Sequence, residues 1–355
     1  MKNGKKRLLL LLPLGIAAAL AFYVGYVFLS YSRIPDFQAL SVEGNAEETA
    51  SLGVEYTALS YNIGFGAYTP EFTFFMDGGS ESWAASKGSV IACVQGAAET
   101  ALSFSPDIVL FQEVDTDSTR SYHVDEAEII NGAFSGYDSV AAVNYHSPFL
   151  MYPLWHPHGA SNSCLLTESV FDITSALRRS FPIASGFKKF LDLDRCYSVA
   201  RIPVENGKEL VVINAHLSAY GTDASQGEAQ LEMLFADMAA EREKGNYVVC
   251  GGDFNHDFPG NSREILNPGT DRIYSWCQPL PSQLLPDGFS LCADYSDGLV
   301  ASTRNTDIPY GPDSFTVILD GFIISDNVLC NETQVMDTGF LYSDHNPVLL
   351  RFALQ

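Results

Sequence analysis

Polar residues that could support metal-dependent hydrolysis stand at or just beyond the ends of apolar segments. Glu113 follows VLFQ, His216 follows VVINA and Asp253 follows VVCGG. Because apolar strands are buried in a core, polar residues at their ends converge at one sheet edge and define a cleft. Carboxylate and amide oxygens suit Mg²⁺, a carboxylate can deprotonate water, and an imidazole can carry charge or a proton. The full set is Asn62, Glu113, His216, Asp253, Asn255, Asp320, Asp344 and His345.

The segments that must position these residues alternate between strand-like and helical patterns. Runs rich in β-branched and aromatic residues predict strands at 56–63, 107–114, 210–217, 246–254, 314–325 and 347–354. Helical patterns predict helices at 86–103, from near 125, and at 226–244. This alternation predicts a single α/β domain over residues 55–355. Residues 34–54 show no sustained period and are predicted to be a linker.

Residues 1–33 are predicted to form a basic cytoplasmic tail and a transmembrane anchor. The run from Leu8 to Leu29 carries no charge, and at about 1.5 Å per residue it spans about 33 Å, enough to cross a bilayer. Basic residues precede the run and only Arg33 follows it, so the positive-inside rule places residues 34–355 outside the cytoplasmic membrane. A cleaved signal peptide is the alternative, although the run exceeds an ordinary signal core.

The charge balance bears on the class of substrate. The chain of 355 residues has 43 acidic and 20 Lys or Arg residues, and its net charge is −23. So acidic a protein repels the phosphate backbone of DNA or RNA, whose binding normally requires a basic surface. We therefore expect a small phosphoester or a lipid headgroup rather than a long nucleic acid. The oligomeric state is not predicted.

Six segments in sequence order together resemble one known family. YNIGFG, FQEVD, NAHL, GGDFN, ILDGFIIS and YSDHNP resemble motifs of the endonuclease/exonuclease/phosphatase superfamily, whose members include deoxyribonuclease I, abasic-site endonucleases, inositol polyphosphate 5-phosphatases and neutral sphingomyelinases. The resemblance covers roughly residues 55–355. It implies an α/β fold in which two mixed β-sheets, flanked by helices, form a four-layered sandwich, here preceded by one transmembrane helix.

The resemblance implies a Mg²⁺ site, with Mn²⁺ as an alternative ion. Glu113 in FQEVD would be the principal ligand, with Asn62 beside it. Asp344 would lie close enough to hold the ion or one of its waters.

The resemblance also implies catalytic roles. Asp253 would orient and deprotonate the attacking water, and Asn255 would donate to a nonbridging phosphoryl oxygen. His345 would bind the scissile phosphate as an imidazolium, with Asp320 behind it fixing the tautomer and raising the pKa. His216 would act on the leaving-group side.

Three further features leave alternatives open. Arg195 could bind a phosphate oxygen of the substrate or form a plain ion pair with Asp194. The segment FLMYPLW (149–155) could be an apolar rim that touches lipid, but core packing is the favoured interpretation. The seven cysteines leave at least one unpaired, and a Cys277–Cys292 disulfide is one option.

Three functions are therefore compared. The first is a Mg²⁺-dependent phosphoester hydrolase that acts on a phosphodiester or phosphomonoester outside the cytoplasmic membrane. The second is a membrane-anchored extracellular nuclease. The third is a noncatalytic binding protein of the same fold, which degraded motifs would favour, yet all the expected side chains are present.

Overall fold

In the part of the chain that the structure describes, two seven-stranded sheets form the body of the protein. The computed structural model describes residues 2–183, 189, 194–219, 224–270, 274, 276–293 and 298–355. In spatial order, the first sheet contains β1 (Gln38–Leu40), β7 (Ser175–Ser180), β8 (Cys196–Pro203), β9 (Glu209–His216), β10 (Tyr247–Asp253), β14 (Asp320–Ser325) and β11 (Phe289–Cys292). The second contains β15 (Val328–Val335), β16 (Val348–Leu354), β3 (Glu55–Asn62), β4 (Ile108–Asp115), β6 (Gly159–Ser169), β5 (Asp138–Leu150) and β2 (Val42–Glu43). β12 (Thr303–Arg304) and β13 (Thr316–Val317) form a separate pair.

Helices cover the outer face of each sheet and complete four layers. The α-helices identified among the described residues are α1 (Lys2–Ser30), α2 (Lys87–Ser103), α3 (Glu126–Ala133), α4 (Ala224–Glu243) and α5 (Ser262–Leu266). One apolar cluster fills the space between the sheets, a second joins α2 and α3 to the second sheet, and a third joins α4 to the first sheet. The predicted four-layered sandwich is confirmed.

Most predicted elements match, and one predicted strand is interrupted. The run 314–325 forms β13 and β14, separated at Ile318 and Leu319. The carbonyl oxygens of these two residues accept hydrogen bonds from the backbone N–H groups of Phe258 (2.9 Å) and Phe254 (3.1 Å). Because these two carbonyl groups bond to the segment that follows β10, they are not paired with a neighbouring strand, and the predicted strand is interrupted there.

Residues 34–54 were expected to be a linker, but they contribute a strand to each sheet. β1 pairs with β7 in the first sheet, and β2 pairs with β5 in the second. The backbone N–H of Ala50 also donates to the carbonyl of Pro203 at 3.0 Å. These pairings depend on residues more than 90 positions away, so the local sequence pattern does not reveal them.

The option of a Cys277–Cys292 disulfide and the expectation that segment 149–155 packs in the core are both wrong, whereas the expectation of at least one unpaired cysteine is confirmed. All seven cysteines are free, and the thiol of Cys292 contacts that of Cys330 rather than that of Cys277. In the segment expected to pack in the core, the exposed fractions are 40% for Phe149, 66% for Tyr152 and 77% for Trp155.

The buried acid Glu168 lies at the opposite edge of the second sheet from Glu113, because it pairs with Val109 near the start of β4. Glu168 on β6 is 1% exposed, and its carboxylate accepts a hydrogen bond from the Ser139 hydroxyl at 3.0 Å. Burial raises its pKa from 4.5 to about 8.

Candidate active site

The first sheet places three of the expected residues side by side on adjacent strands. Asp253 ends β10 and is paired in register with His216 of the parallel strand β9 and with Asp320 of the antiparallel strand β14. Gly252 permits this arrangement: its φ is +148°, and a Cβ there would lie 1.9 Å from the carbonyl oxygen of Ala215.

The second sheet presents Asn62 and Glu113 to the same cleft. Asn62 ends β3, and Glu113 lies in a β-bulge of β4, where the register with β6 shifts between Phe111 and Val114. Glu113 has a φ of 55°, an unusual value for a residue with a side chain. Because a bulge redirects side chains, Glu113 lines the cleft while its neighbours on the strand stay in the core.

The segment before β16 supplies Asp344 and His345. The backbone N–H of Arg304 on β12 donates to the Asp344 carbonyl at 3.0 Å, and Thr303 forms an isolated bridge with His345. Burial raises the pKa of the Asp344 carboxyl to about 6, an effect that nearby Glu113 reinforces and the His345 and Arg304 charges oppose. The β12–β13 pair thus fixes these two residues against the main sheets.

The carboxylate of Asp253 is the centre of the site. Its Oδ2 accepts a hydrogen bond from Asn62 Nδ2 at 3.1 Å and lies 3.5 Å from His216 Nε2 and 3.7 Å from His345 Nε2. Burial raises the Asp253 pKa to about 7; Asp320 adds to this rise, while His345 opposes it. Such a carboxyl group can gain and lose a proton near neutral pH.

His345 lies between two carboxylates. Its Nδ1–H donates to Asp320 Oδ2 at 2.8 Å, and its Nε2 faces Asp253. Burial alone would lower the His345 pKa, but Asp320 and Asp253 outweigh it and raise the pKa to about 10. Ser302 and Thr303 also donate to Asp320 Oδ2, at 2.6 and 3.0 Å, and so fix the acid that orients the ring.

His216 has the opposite electrostatic character. Burial lowers its pKa well below 6.5, and the positive charges of Arg195 and His345 lower it further. Its Nδ1 lies 3.5 Å from the amide nitrogen of Asn144, an arrangement that favours a neutral ring with its proton on Nε2. That N–H points towards Asp253, and Glu113 Oε1 lies 4.0 Å away.

Asn255 and Arg195 lie at the same cleft. The backbone N–H of Asn255 donates to Asp253 Oδ1 at 2.9 Å, and its side-chain amide donates to the Leu217 carbonyl at 2.8 Å. Arg195 lines the cleft, and within the described part of the chain its Nε is buried without a hydrogen-bond partner. Asp194 instead accepts a hydrogen bond from the backbone N–H of Ile34 at 2.8 Å. Within the described residues, Arg195 therefore faces the cleft and forms no ion pair with Asp194.

All nine predicted site residues thus lie in one region of the fold, around a cavity of about 590 Å³. Asn62 and Asp320 lie behind the lining and support Asp253 and His345. Sequence reasoning missed Asn144, Ser302, Thr303 and Arg304, which lie in segments without a recognisable motif. Only the strand pairings bring them to the site.

Two different groups of residues could hold a cation. Asp253, Asp320 and His345 offer ligand atoms that all lie within 4.8 Å of one another. However, a His345 ring with a carboxylate at each nitrogen is favoured in its protonated form, which has no lone pair for a metal. Glu113, Asp344 and the Asn62 amide oxygen instead form an all-oxygen set, which is the chemistry that Mg²⁺ prefers. This second set fits a divalent cation better.

Comparisons with known proteins agree with this geometry. The sequence matches the Endonuclease/Exonuclease/phosphatase family over residues 59–345. A search of curated protein sequences found no match. The fold is similar to that of truncated TDP2 from Caenorhabditis elegans, with 16% identity, a TM-score of 0.52, and coverage of 85% of this chain and 98% of that one.

Two further solved structures share the fold. ANGEL2, a 2',3'-cyclic phosphatase, is 14% identical, with a TM-score of 0.54 and coverage of 89% of this chain and 98% of that one. An endonuclease/exonuclease/phosphatase family protein from Bacteroides thetaiotaomicron is 18% identical, with a TM-score of 0.54 and coverage of 85% and 98%. Sequence match, fold and the convergence of the six motifs agree: the chain belongs to the endonuclease/exonuclease/phosphatase family, whose members are phosphoester hydrolases.

Proposed function

We propose that this protein is a Mg²⁺-dependent phosphoester hydrolase that acts outside the cytoplasmic membrane. The observation that carries the proposal is the environment of Asp253, whose carboxylate contacts Asn62, His216 and His345 where the two sheets meet. A general base, a neutral imidazole and a charged imidazole are thereby held around one point, where a phosphoryl group could bind.

Glu113 and Asp344 would hold the cation, with the amide oxygen of Asn62 beside them. That oxygen accepts one hydrogen bond from the Gly64 N–H at 3.0 Å and retains a second lone pair. Burial and the neighbouring Glu113 both disfavour the charged form of Asp344, and a bound cation would offset that cost. A divalent ion here would supply Lewis-acid stabilisation of charge on the phosphoryl oxygens.

The proton-transfer role belongs to Asp253. Asn62 and the Asn255 N–H orient its two oxygens, so its carboxylate can accept a proton from a water directed at phosphorus. His345, held by Asp320, would contact the phosphoryl group through Nε2. The Nε2–H of His216 would donate on the leaving-group side, and Arg195 and Asn255 would contact nonbridging oxygens.

Location rests on helix α1. Its segment Leu11–Ser30 is long and apolar enough to cross a membrane, and none of the segment is buried inside the protein. The basic residues before it favour a cytoplasmic N-terminus, with the catalytic domain on the opposite side.

A substrate panel tests the proposal. The full chain would be assayed on phosphodiester and phosphomonoester probes with Mg²⁺, Mn²⁺ or EDTA. We expect metal-dependent hydrolysis that falls about 10²–10⁴-fold in Asp253→Asn. Asp326→Asn is the matched control, because Asp326 lies just beyond the other end of β14 from the site and its side chain is exposed. The absence of hydrolysis on every probe, with the cation bound, would favour the noncatalytic alternative.

A further inference from the structure

The strongest feature outside the catalytic residues is an apolar loop formed by residues 149–155. Its large side chains are exposed: 40% for Phe149, 45% for Met151, 66% for Tyr152, 78% for Leu154 and 77% for Trp155. Contiguous exposed apolar patches mark interaction sites, and Tyr and Trp are enriched where protein meets the bilayer interface.

Hydrogen bonds and a contact between aromatic rings hold the loop in position. The residues that follow it are tied to a neighbouring segment: the Ser82 hydroxyl donates to the His156 carbonyl and the Trp83 indole donates to the Pro157 carbonyl, each at 2.7 Å. At the front, the Tyr152 and Phe75 rings are in contact, with centroids 5.6 Å apart. The fold therefore holds this apolar surface in a fixed position.

The loop contacts helix α1 directly. The Tyr23 hydroxyl accepts from the Met151 N–H at 2.9 Å, and the Tyr26 hydroxyl accepts from the Phe149 N–H at 3.1 Å. Tyr23 precedes the helix end at Ser30 by about 10 Å, at about 1.5 Å per residue. If Leu11–Ser30 crosses the bilayer, the loop reaches its outer interface.

The same cavity extends from the loop to the catalytic residues. Tyr23, Leu150 and Tyr152 line the cavity together with Glu113 and Asp253. A phosphoester that stays at the membrane surface can therefore reach the catalytic carboxylate while its apolar part remains beside the loop and α1.

We infer that the loop inserts into the bilayer interface and that the substrate is a phosphodiester of a zwitterionic membrane phospholipid. This inference rests on the proposed function. The net charge of −23 argues against an anionic lipid surface, which repels an acidic protein. In the reaction, water adds to phosphorus, one ester P–O bond breaks, and the departing alkoxide oxygen takes a proton, which gives an alcohol and a phosphomonoester.

The test uses the full chain reconstituted into phosphatidylcholine vesicles. Phosphorus-containing and alcohol products are measured by mass spectrometry, and hydrolysis of the soluble diester bis(p-nitrophenyl) phosphate is measured in parallel. We expect the double variant Leu154→Ser/Trp155→Ser to lose roughly tenfold or more of the vesicle activity and less than twofold of the soluble activity. Leu329→Ser is the matched control: Leu329 is 44% exposed and lies on β15, at the other side of the same sheet from β5.

A readout independent of activity locates the loop. In vesicles of brominated phosphatidylcholine, the part of the tryptophan fluorescence that Trp155→Phe removes should be quenched. Unquenched Trp155 emission, or equal loss of both activities in the loop variant, overturns the inference. Soluble-diester hydrolysis that depends on Asp253 without any vesicle hydrolysis overturns the lipid substrate but keeps the proposed function. Failure on both substrates overturns the proposed function itself.

Discussion

Gly252→Ala is expected to separate β9 and β10, the strands that carry His216 and Asp253, the proposed catalytic pair. A Cβ at this position would lie 1.9 Å from the Ala215 carbonyl oxygen, whereas Cβ atoms do not normally approach closer than 3.0 Å. β10 and β9 must therefore move apart by roughly 1 Å. This movement would lengthen the distance between Asp253 Oδ2 and His216 Nε2, which is 3.5 Å in the wild type.

The size of the effect follows from that displacement. A shift of about 1 Å in a catalytic group costs about 100-fold in rate, so we expect kcat to fall by about that factor. A φ of +148° adds backbone strain of about 1–3 kcal/mol, and the clash adds about 1–3 kcal/mol more. Thermal unfolding should therefore occur several degrees lower than in the wild type.

The matched control is Gly136→Ala. Gly136 also has a positive φ, +96°, but a Cβ there would meet nothing within 4 Å. It should lose stability through strain alone and keep its turnover. Turnover of a soluble diester and thermal unfolding are measured for both variants. If Gly252→Ala retains wild-type kcat, the close approach of β9 and β10 does not position the catalytic pair.

Three further predictions concern single carboxylates. Asp320→Asn removes the acid that orients His345 and should lower kcat by about 10²–10⁴-fold with little change in the unfolding temperature; an unchanged kcat would exclude the positioning role. Glu113→Gln should raise the Mg²⁺ concentration needed for half-maximal activity, and wild-type metal dependence would show that the ligand assignment is wrong. The pKa of Glu168 is about 8 in the folded protein against 4.5 when unperturbed, so the stability from its neutral form is present below pH 4.5 and lost as the pH rises through 8. Glu168→Gln should therefore unfold at a higher temperature than the wild type at pH 9 and at a similar temperature at pH 4. The free energy of unfolding at pH 9 should rise by at most about 5 kcal/mol, which is the shift in pKa from 4.5 to about 8 converted to free energy. Equal pH dependence of stability in the two proteins would contradict the assignment.

The elements of the fold could be predicted where local pattern decides them. Leu231, Leu234, Phe235 and Met238 recur at helical spacing, and all four are buried where α4 packs on the first sheet. Local pattern failed where distant partners decide the structure. The run 314–325 reads as one strand, but the hydrogen bonds that its carbonyls accept from Phe254 and Phe258 interrupt it.

The kind of chemistry that the site could support follows from the amino-acid sequence alone. Residue type and spacing alone selected eight acids, amides and imidazoles near the ends of apolar strands; six of them line the cavity, and Asn62 and Asp320 lie directly behind the lining.

The differences in charge and protonation between those residues depend on the folded structure. His216 and His345 are the same residue type and both lie beside Asp253, yet burial lowers the pKa of His216 and two carboxylates raise that of His345. The apolar loop at 149–155 likewise stays exposed in the fold, and its contact with α1 joins residues more than 120 positions apart along the chain. The pKa and the burial of a side chain depend on all the groups that surround it in space, and folding alone brings those groups together.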